Sequence, residues 1–354
     1  DGPQGWRRWS ARLGAMAGKA RGDGWQGWGG WLARLGAMAG KAGRRACKAC
    51  RCRAARGGSQ RIMPSLFVLC SAAAIMTLMT ELTTDETQEE KSYQWVHILI
   101  LLAAGIILGV WLSKTPPGIY GKARAVGYAV CHQIEERSFH FYGTVSPMCA
   151  RCTGMYMGVL AAAAFYALRG KQGAAQFPSW KINVLLIGFV VLWGLDGFNS
   201  YLHLIPGAPR VFPPSNTNRM ITGSLMGINL MTLLAVGFNQ VVWKSPKEER
   251  IFTGFKELGL LLVLVLAMDG LVLLEVPAVI AAVSWLSVVS VILLLTGVYA
   301  MAVLLVTNNE NRYEGWWSLR WLLLAGFVLA LVQTGALDLG RYLLTGTWEG
   351  GLGL

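Results

Sequence analysis

Between Cys131 and Gly158 the chain reads CHQIEERSFHFYGTVSPMCARCTGMYMG, and three of its seven cysteines fall in that stretch. Pro147 can precede a helix but not sit within one, so a helix is expected to open near Met148. Cys149 and Cys152 then stand at i and i+3, on one face of its first turn. Unpaired amides and the helix dipole at such a position lower a thiol's pKa and favour the thiolate, which suits metal binding or redox attack. With Cys131 and one histidine, His132 or His140, the pair makes three sulfurs and one nitrogen, the donor set of a closed tetrahedral site for zinc or iron. Adjacent residues point in different directions, so Cys131 and His132 can serve one ion only if the backbone turns sharply between them. In a redox reading Cys149 and Cys152 are the catalytic pair of a membrane thiol-disulfide oxidoreductase, and Cys131 is the resolving or shuttle thiol. The plain alternative is a set of small apolar fillers beside a solvated loop histidine.

A second polar group follows. Asp196, Asn199 and His203 recur at i, i+3 and i+7 and share one face of a continuous helix. Beyond Pro206, Pro209, Pro213 and Pro214 the next helix is expected to open near Ser215 to Asn218, with Arg219 and Thr222 in its first turns. Ser, Asn and Thr there are also ordinary helix-start residues. An ionisable group at membrane depth requires a partner, and Arg219 is the nearest candidate for Asp196 by sequence. The cluster Asp196, Asn199, His203, Asn218 and Arg219 reads either as a lock between two helices or as the ligand site of a small-molecule or lipid carrier. Asp269 and Asp338 are further acids in or near apolar stretches, without a partner that the sequence names. Gly154 and Gly158 form a small-xxx-small pair suited to close helix packing. Gly-rich phosphate cradles, HExxH and the Gly-x-Ser-x-Gly nucleophile turn do not occur, so the common hydrolase and nucleotide-binding routes receive no support.

The elements that must position these residues are membrane helices. Of 354 residues 54% are hydrophobic and 14% charged, against roughly a quarter charged in soluble proteins. The net charge of +13 resembles a nucleic-acid footprint until it is mapped: residues 1–62 carry 14 Lys and Arg against two Asp, whereas the other 292 residues carry 18 basic and 17 acidic side chains. The body is therefore nearly neutral and offers no nucleic-acid surface; its expected partner is the lipid bilayer.

A span needs about 20 mostly apolar residues, since each backbone amide in hydrocarbon must be paired within its own segment. Eight stretches approach that length: 64–80, 95–112, 149–168, 182–205, 217–243, 258–274, 277–306 and 316–335. Trp95, Trp180, Trp243, Trp316 and Trp317 stand at the proposed ends, where amphipathic rings favour the interface. The expected fold is an all-α, polytopic transmembrane bundle of about 7 to 8 spans, multi-pass in the cell membrane. Two N-terminal spans (63–112) precede a membrane core with the Cys/His loop (113–243) and C-terminal spans (244–354).

The basic tail, 1–62, repeats WSARLGAMAGKA (Trp9 to Ala20) as WLARLGAMAGKA (Trp31 to Ala42), two copies where a stacked repeat array needs about three. It reads as a disordered segment or as translated upstream sequence, with Met63 directly before the first apolar run. Its functional alternative is a basic membrane-surface arm in which Cys47, Cys50 and Cys52 bind metal or carry acyl chains. Counting Lys and Arg in alternate loops of the body leans toward placing loop 113–148 outside, while the tail would pull it inside, so orientation stays open.

The runs CHQIEERSF, PMCARCTGMYMG, WGLDGFNSYL and PSNTNRMITGSLMG resemble a family of prokaryotic membrane proteins, domain of unknown function 2085, over approximately residues 125–235. Residue by residue the resemblance marks Cys131, His132, Arg137, Ser138, Phe139, Cys149, Arg151, Cys152, Gly154, Tyr156, Asp196, Gly197, Asn218, Arg219, Thr222 and Gly223. His140 is not in that pattern, which favours His132 as the histidine ligand. The resemblance implies membrane residence and supplies no activity.

Overall fold

A computed structural model describes residues 89–203, 205 and 212–348, with side chains from residue 96 onward. The chain divides into two compact units, Asp1–Glu81 and Leu82–Leu354, and every described residue belongs to the second. The basic tail, CKACRC and the expected span 64–80 lie outside the described residues.

Among the described residues eight α-helices follow in order: α1 (Glu89–Lys114), α2 (Gly118–Val130), α3 (Ala150–Leu168), α4 (Trp180–Leu202), α5 (Asn216–Val242), α6 (Phe255–Leu273), α7 (Pro277–Thr307) and α8 (Arg320–Thr345). Among the described residues five segments are long and apolar enough to cross a membrane: Val96–Lys114, Trp180–Leu202, Asn216–Val242, Pro277–Thr307 and Trp316–Thr345. They lie in α1, α4, α5, α7 and α8. The expected stretches 149–168 and 258–274 are helical too, as α3 and α6, each 19 residues long; α3 carries Arg151 in its first turn, and α6 carries Lys256, Glu257 and Asp269. α3 packs against α5, α6 and α7, so protein covers much of its surface.

Small residues set the closest contact. A Cβ on Gly154 would lie 2.2 Å from the Met220 carbonyl oxygen and one on Gly158 2.3 Å from that of Ser224. In return, Gly223 and Gly227 on α5 would collide with the carbonyl oxygens of Arg151 and Met155, at 2.2 and 2.1 Å. The two helices thus carry reciprocal Gly-xxx-Gly pairs and meet backbone to backbone, which gives packing its purchase where lipid supplies no hydrophobic drive. On α7 a stripe of buried serines does the joining. Ser284 shares a hydrogen bond with Ser146 at 2.9 Å, Ser287 donates to the Thr153 carbonyl at 3.4 Å, and Ser290 to that of Tyr156 at 2.7 Å.

Two short strand pairs depart from the purely helical expectation. β1 (Ser138–Phe141) and β2 (Thr144–Cys149) form an antiparallel hairpin. Its two-residue turn has Tyr142 at φ +47° and Gly143 at +75°, the primed geometry that suits strand twist. Phe139 and Phe141 hold this hairpin against Met157, Met220 and Ile280. β3 (Ala174–Gln176) and β4 (Lys247–Arg250) pair in parallel. Trp180, Trp316 and Trp317 are exposed at helix ends, as an interfacial ring should be, whereas Trp243 caps α5 from a buried position.

Candidate functional site

Cys131 ends α2, Cys149 ends β2, and Cys152 lies in the first turn of α3. Their three sulfurs lie within 4.8 Å of one another, and all three thiols are free. Helix α3 begins at Ala150 with Cys149 as its N-cap, so the expected helix start near Met148 holds to within two residues. The strand before it delivers Cys149 in an extended conformation, which turns its thiol toward Cys131.

Backbone devices bring the two halves together. A Cβ at Gly127 would lie 2.0 Å from the Pro147 carbonyl oxygen, so only glycine lets β2 approach the end of α2. Gln133, at φ +53°, reverses the chain after Cys131. Its Nε2 donates to the carbonyls of Arg124 at 2.9 Å and Pro147 at 2.7 Å. The amides of Gln133 and Cys149 both donate to Cys131 Sγ, at 3.4 and 3.3 Å, a pattern that stabilises negative charge on sulfur. From α8, Arg341 donates to the carbonyls of Tyr128 (2.8 Å), Cys131 (2.6 Å) and His132 (3.0 Å). Its guanidinium lies over the Tyr128 ring, 4.1 Å from the centroid.

Without a cation the triad cannot carry three charges. The hydrogen bond to Cys149, followed by burial, pushes the Cys131 thiol up to about 12. His132 is not among the converging ligand atoms: its side chain is exposed. The sharp turn after Cys131 sends His132 outward, because the reversal falls at Gln133 rather than between Cys131 and His132. His140 is exposed as well, with Nε2 3.6 Å from Glu135 Oε1.

The second cluster also forms, with a different pairing. Asp196 is buried on α4, and its partner is Arg151 of α3 rather than the expected Arg219: Arg151 Nε donates to Oδ2 at 3.0 Å and Nη2 closes a second bond to the same oxygen. Arg151 Nη2 further donates to Ser200 Oγ at 3.0 Å, and Arg137 Nη2 to the Ser200 carbonyl at 3.2 Å. Arg219 lies buried in the first turn of α5 and gives Nη1 to Asn216 Oδ1 at 2.9 Å. Asn199 is buried and donates to the Phe212 carbonyl at 2.9 Å, and His203 Nδ1 meets the Asn199 carbonyl at 2.9 Å. Asn218 is exposed, its amide capped by Ser215 Oγ at 3.1 Å. The acids that lacked a nameable partner have neutral ones: Ser224 Oγ donates to Asp269 at 2.8 Å and Trp111 Nε1 to Asp338 at 3.0 Å.

Sequence reasoning passed over Gln133, Arg151 as the acid's partner, and Arg341. A signal existed for Arg151: an arginine one turn into an apolar helix needs an acid as much as Asp196 needs a base. None existed for Arg341, which lies some 200 residues from the carbonyls it holds.

The family described as predicted membrane protein (DUF2085) matches residues 131–233, a range that holds the whole triad and the Asp196 cluster. An uncharacterized protein of Methanocaldococcus jannaschii is 31% identical over 124 residues, 35% of this chain and 72% of that relative. An uncharacterized protein of Methanothermobacter thermautotrophicus is 32% identical over 107 residues, 30% of this chain and 86% of the relative. No solved structure matches the chain. With most of each archaeal relative covered and several helices fit to cross a bilayer, the chain is a multi-pass membrane protein and belongs to the DUF2085 family.

Proposed function

We propose that this protein is a membrane metal-binding protein that holds a zinc or iron ion on Cys131, Cys149 and Cys152. The reading rests on one observation, the convergence of three free thiols from two chain segments, the end of α2 and the junction of β2 with α3, to within 4.8 Å. Around one ion with metal–sulfur bonds of about 2.3 Å, tetrahedral sulfurs stand about 3.8 Å apart, so the convergence fits a shared ion. Amides aimed at Cys131 Sγ and the backbone clamps by Gln133 and Arg341 support sulfurs fixed in place before metal arrives. The fourth position is left to water or an exogenous ligand, since His132 is exposed. When bound, the ion would neutralise thiolate charge and tie the end of α2 to the start of α3.

Elemental analysis of protein purified in detergent without added metal tests this. A stoichiometric metal content is expected, lost in both Cys149→Ser and Cys152→Ser and kept in His132→Ala. Metal-free wild type, or occupancy indifferent to the two serine variants, overturns the reading. A Cys149–Cys152 disulfide that cycles with added oxidant and reductant in metal-free protein would replace it with the oxidoreductase reading.

A further inference from the structure

We propose that Arg137, Arg151 and Arg219 form a binding site for a phosphate-class anion where α3, α4 and α5 meet, next to the cysteine triad. This is a function separate from metal binding and does not rest on it. The three guanidiniums come from the turn before β1, the first turn of α3 and the first turn of α5. Arg219 is within Coulombic reach of Arg137, Arg151, Asp196 and Cys149. Asp196 is the one carboxylate among these neighbours, and Arg151 already occupies its Oδ2. Glu135 and Glu136, on the same turn as Arg137, are exposed, and Glu135 lies beside His140.

Three fixed positive charges thus face one negative. A divalent ion on three thiolates carries a net single negative charge, so one positive charge still lacks its balance when the triad is filled. Burying unmatched guanidinium is costly, and a chain that keeps it buried normally supplies an anion. A second observation points the same way. Arg219 is only 5% exposed, and its Nε finds no hydrogen-bond partner. Arg is the side chain suited to phosphate, because its fork matches two oxygens at once. The N-terminal amides of α5 add the positive end of a helix dipole at the same place.

A lipid headgroup and a free phosphate share this chemistry. The surroundings favour the lipid. A groove of about 210 Å³ between α4 and α5 is lined by Leu192, Leu195, Phe212 and Ile221 together with Asp196, Asn218 and Thr222. Leu192 and Leu195 are half exposed on the face that a bilayer would cover. The groove reaches the arginines through Asp196, the carboxylate that Arg151 binds, so an acyl chain lying in it would hold its headgroup near them.

The test is thermal unfolding of the full chain in an uncharged, lipid-free detergent, with phosphatidylglycerol, phosphatidylcholine or inorganic phosphate added at constant ionic strength. Phosphatidylglycerol is expected to raise Tm by several degrees and phosphatidylcholine to do so far less, since a ligand stabilises in proportion to its affinity for the folded state. An equal rise with inorganic phosphate would identify a soluble anion as the source and also supports the site. Arg219→Gln should abolish the anion-dependent rise and Arg219→Lys should keep part of it. Should Arg219→Gln fail to fold, Arg137→Gln is the second variant, with the same loss expected. The rise should survive Cys149→Ser. No rise from either anionic probe, an equal rise with phosphatidylcholine, a rise unchanged in the arginine variants, or its loss in Cys149→Ser each overturns the proposal; the last would assign the arginines to the thiolate charge instead.

Discussion

Asp196 shows how a single buried charge organises its surroundings. Its side chain is 3% exposed and that of Arg151 19%, so the pair meets largely out of water. Removing one partner leaves the other buried and uncompensated, at a cost of about 3 to 5 kcal/mol, while replacing both with neutral residues of like size avoids most of it. Arg151→Gln and Asp196→Asn are each expected to lower Tm in detergent sharply, and the double variant to recover much of the loss. Arg219→Gln should cost clearly less in the apo protein, because Arg219 is not the partner of Asp196. Equal losses from Arg151→Gln and Arg219→Gln would show the charge shared rather than paired. The nearest helical arginine along the chain is Arg219 on α5, but the one that meets the acid is 45 residues earlier on α3.

At the scale of elements, the contact between α3 and α5 rests on the absence of four side chains. The sequence marked Gly154 and Gly158 as a packing pair; its complement, Gly223 and Gly227, became visible only when the two helices were laid together. Gly227→Ala would put a Cβ 2.1 Å from a backbone carbonyl on the neighbouring helix, and backbone cannot swing aside as a side chain can. Overpacking of this sort costs about 1 to 3 kcal/mol. The expected result is a lower Tm and, because Cys152 and Arg151 lie on the helix that must shift, weaker metal retention than wild type. As a control, Gly188→Ala on α4 meets nothing within 4 Å and should be neutral or slightly stabilising. Equal behaviour of the two variants would show that the close approach is not needed.

For the molecule as a whole, the last helix reaches the cysteine triad from outside the region, residues 131–233, that the family match covers. Arg341 holds three carbonyls at the end of α2, Cys131 and His132 among them, yet contributes no ligand. Arg341→Gln is expected to reduce metal occupancy or speed metal loss to a chelator, by roughly the 10- to 100-fold typical of groups that orient ligands, with the helices still folded by circular dichroism. Arg341→Lys should rescue only in part, since an ammonium cannot span three carbonyls as a planar fork does. Unchanged metal loss in Arg341→Gln would confine the site to the family region. Farther along the same helix, Trp111 reaches Asp338, and His97 stacks on Trp321 with 4.0 Å between centroids, so α8 also anchors α1.

The amino-acid sequence by itself determined the membrane class, because hydrocarbon requires long uninterrupted apolar helices and these are local, readable features. It also identified the three cysteines, the buried acid and the first glycine pair, each from residue type and short spacing. Tertiary structure alone decided which groups meet. The hairpin before α3 has no local signal that sets it apart from a loop, since its register depends on Phe139 and Phe141 finding cover on distant helices. The outward turn of His132 depends on Gln133 bridging to Pro147. Arg151 rather than Arg219 met Asp196 because helix crossing, and not separation along the chain, sets the distance between charges. Arg341 entered for the same reason: a side chain far along the chain becomes a neighbour only when the bundle closes.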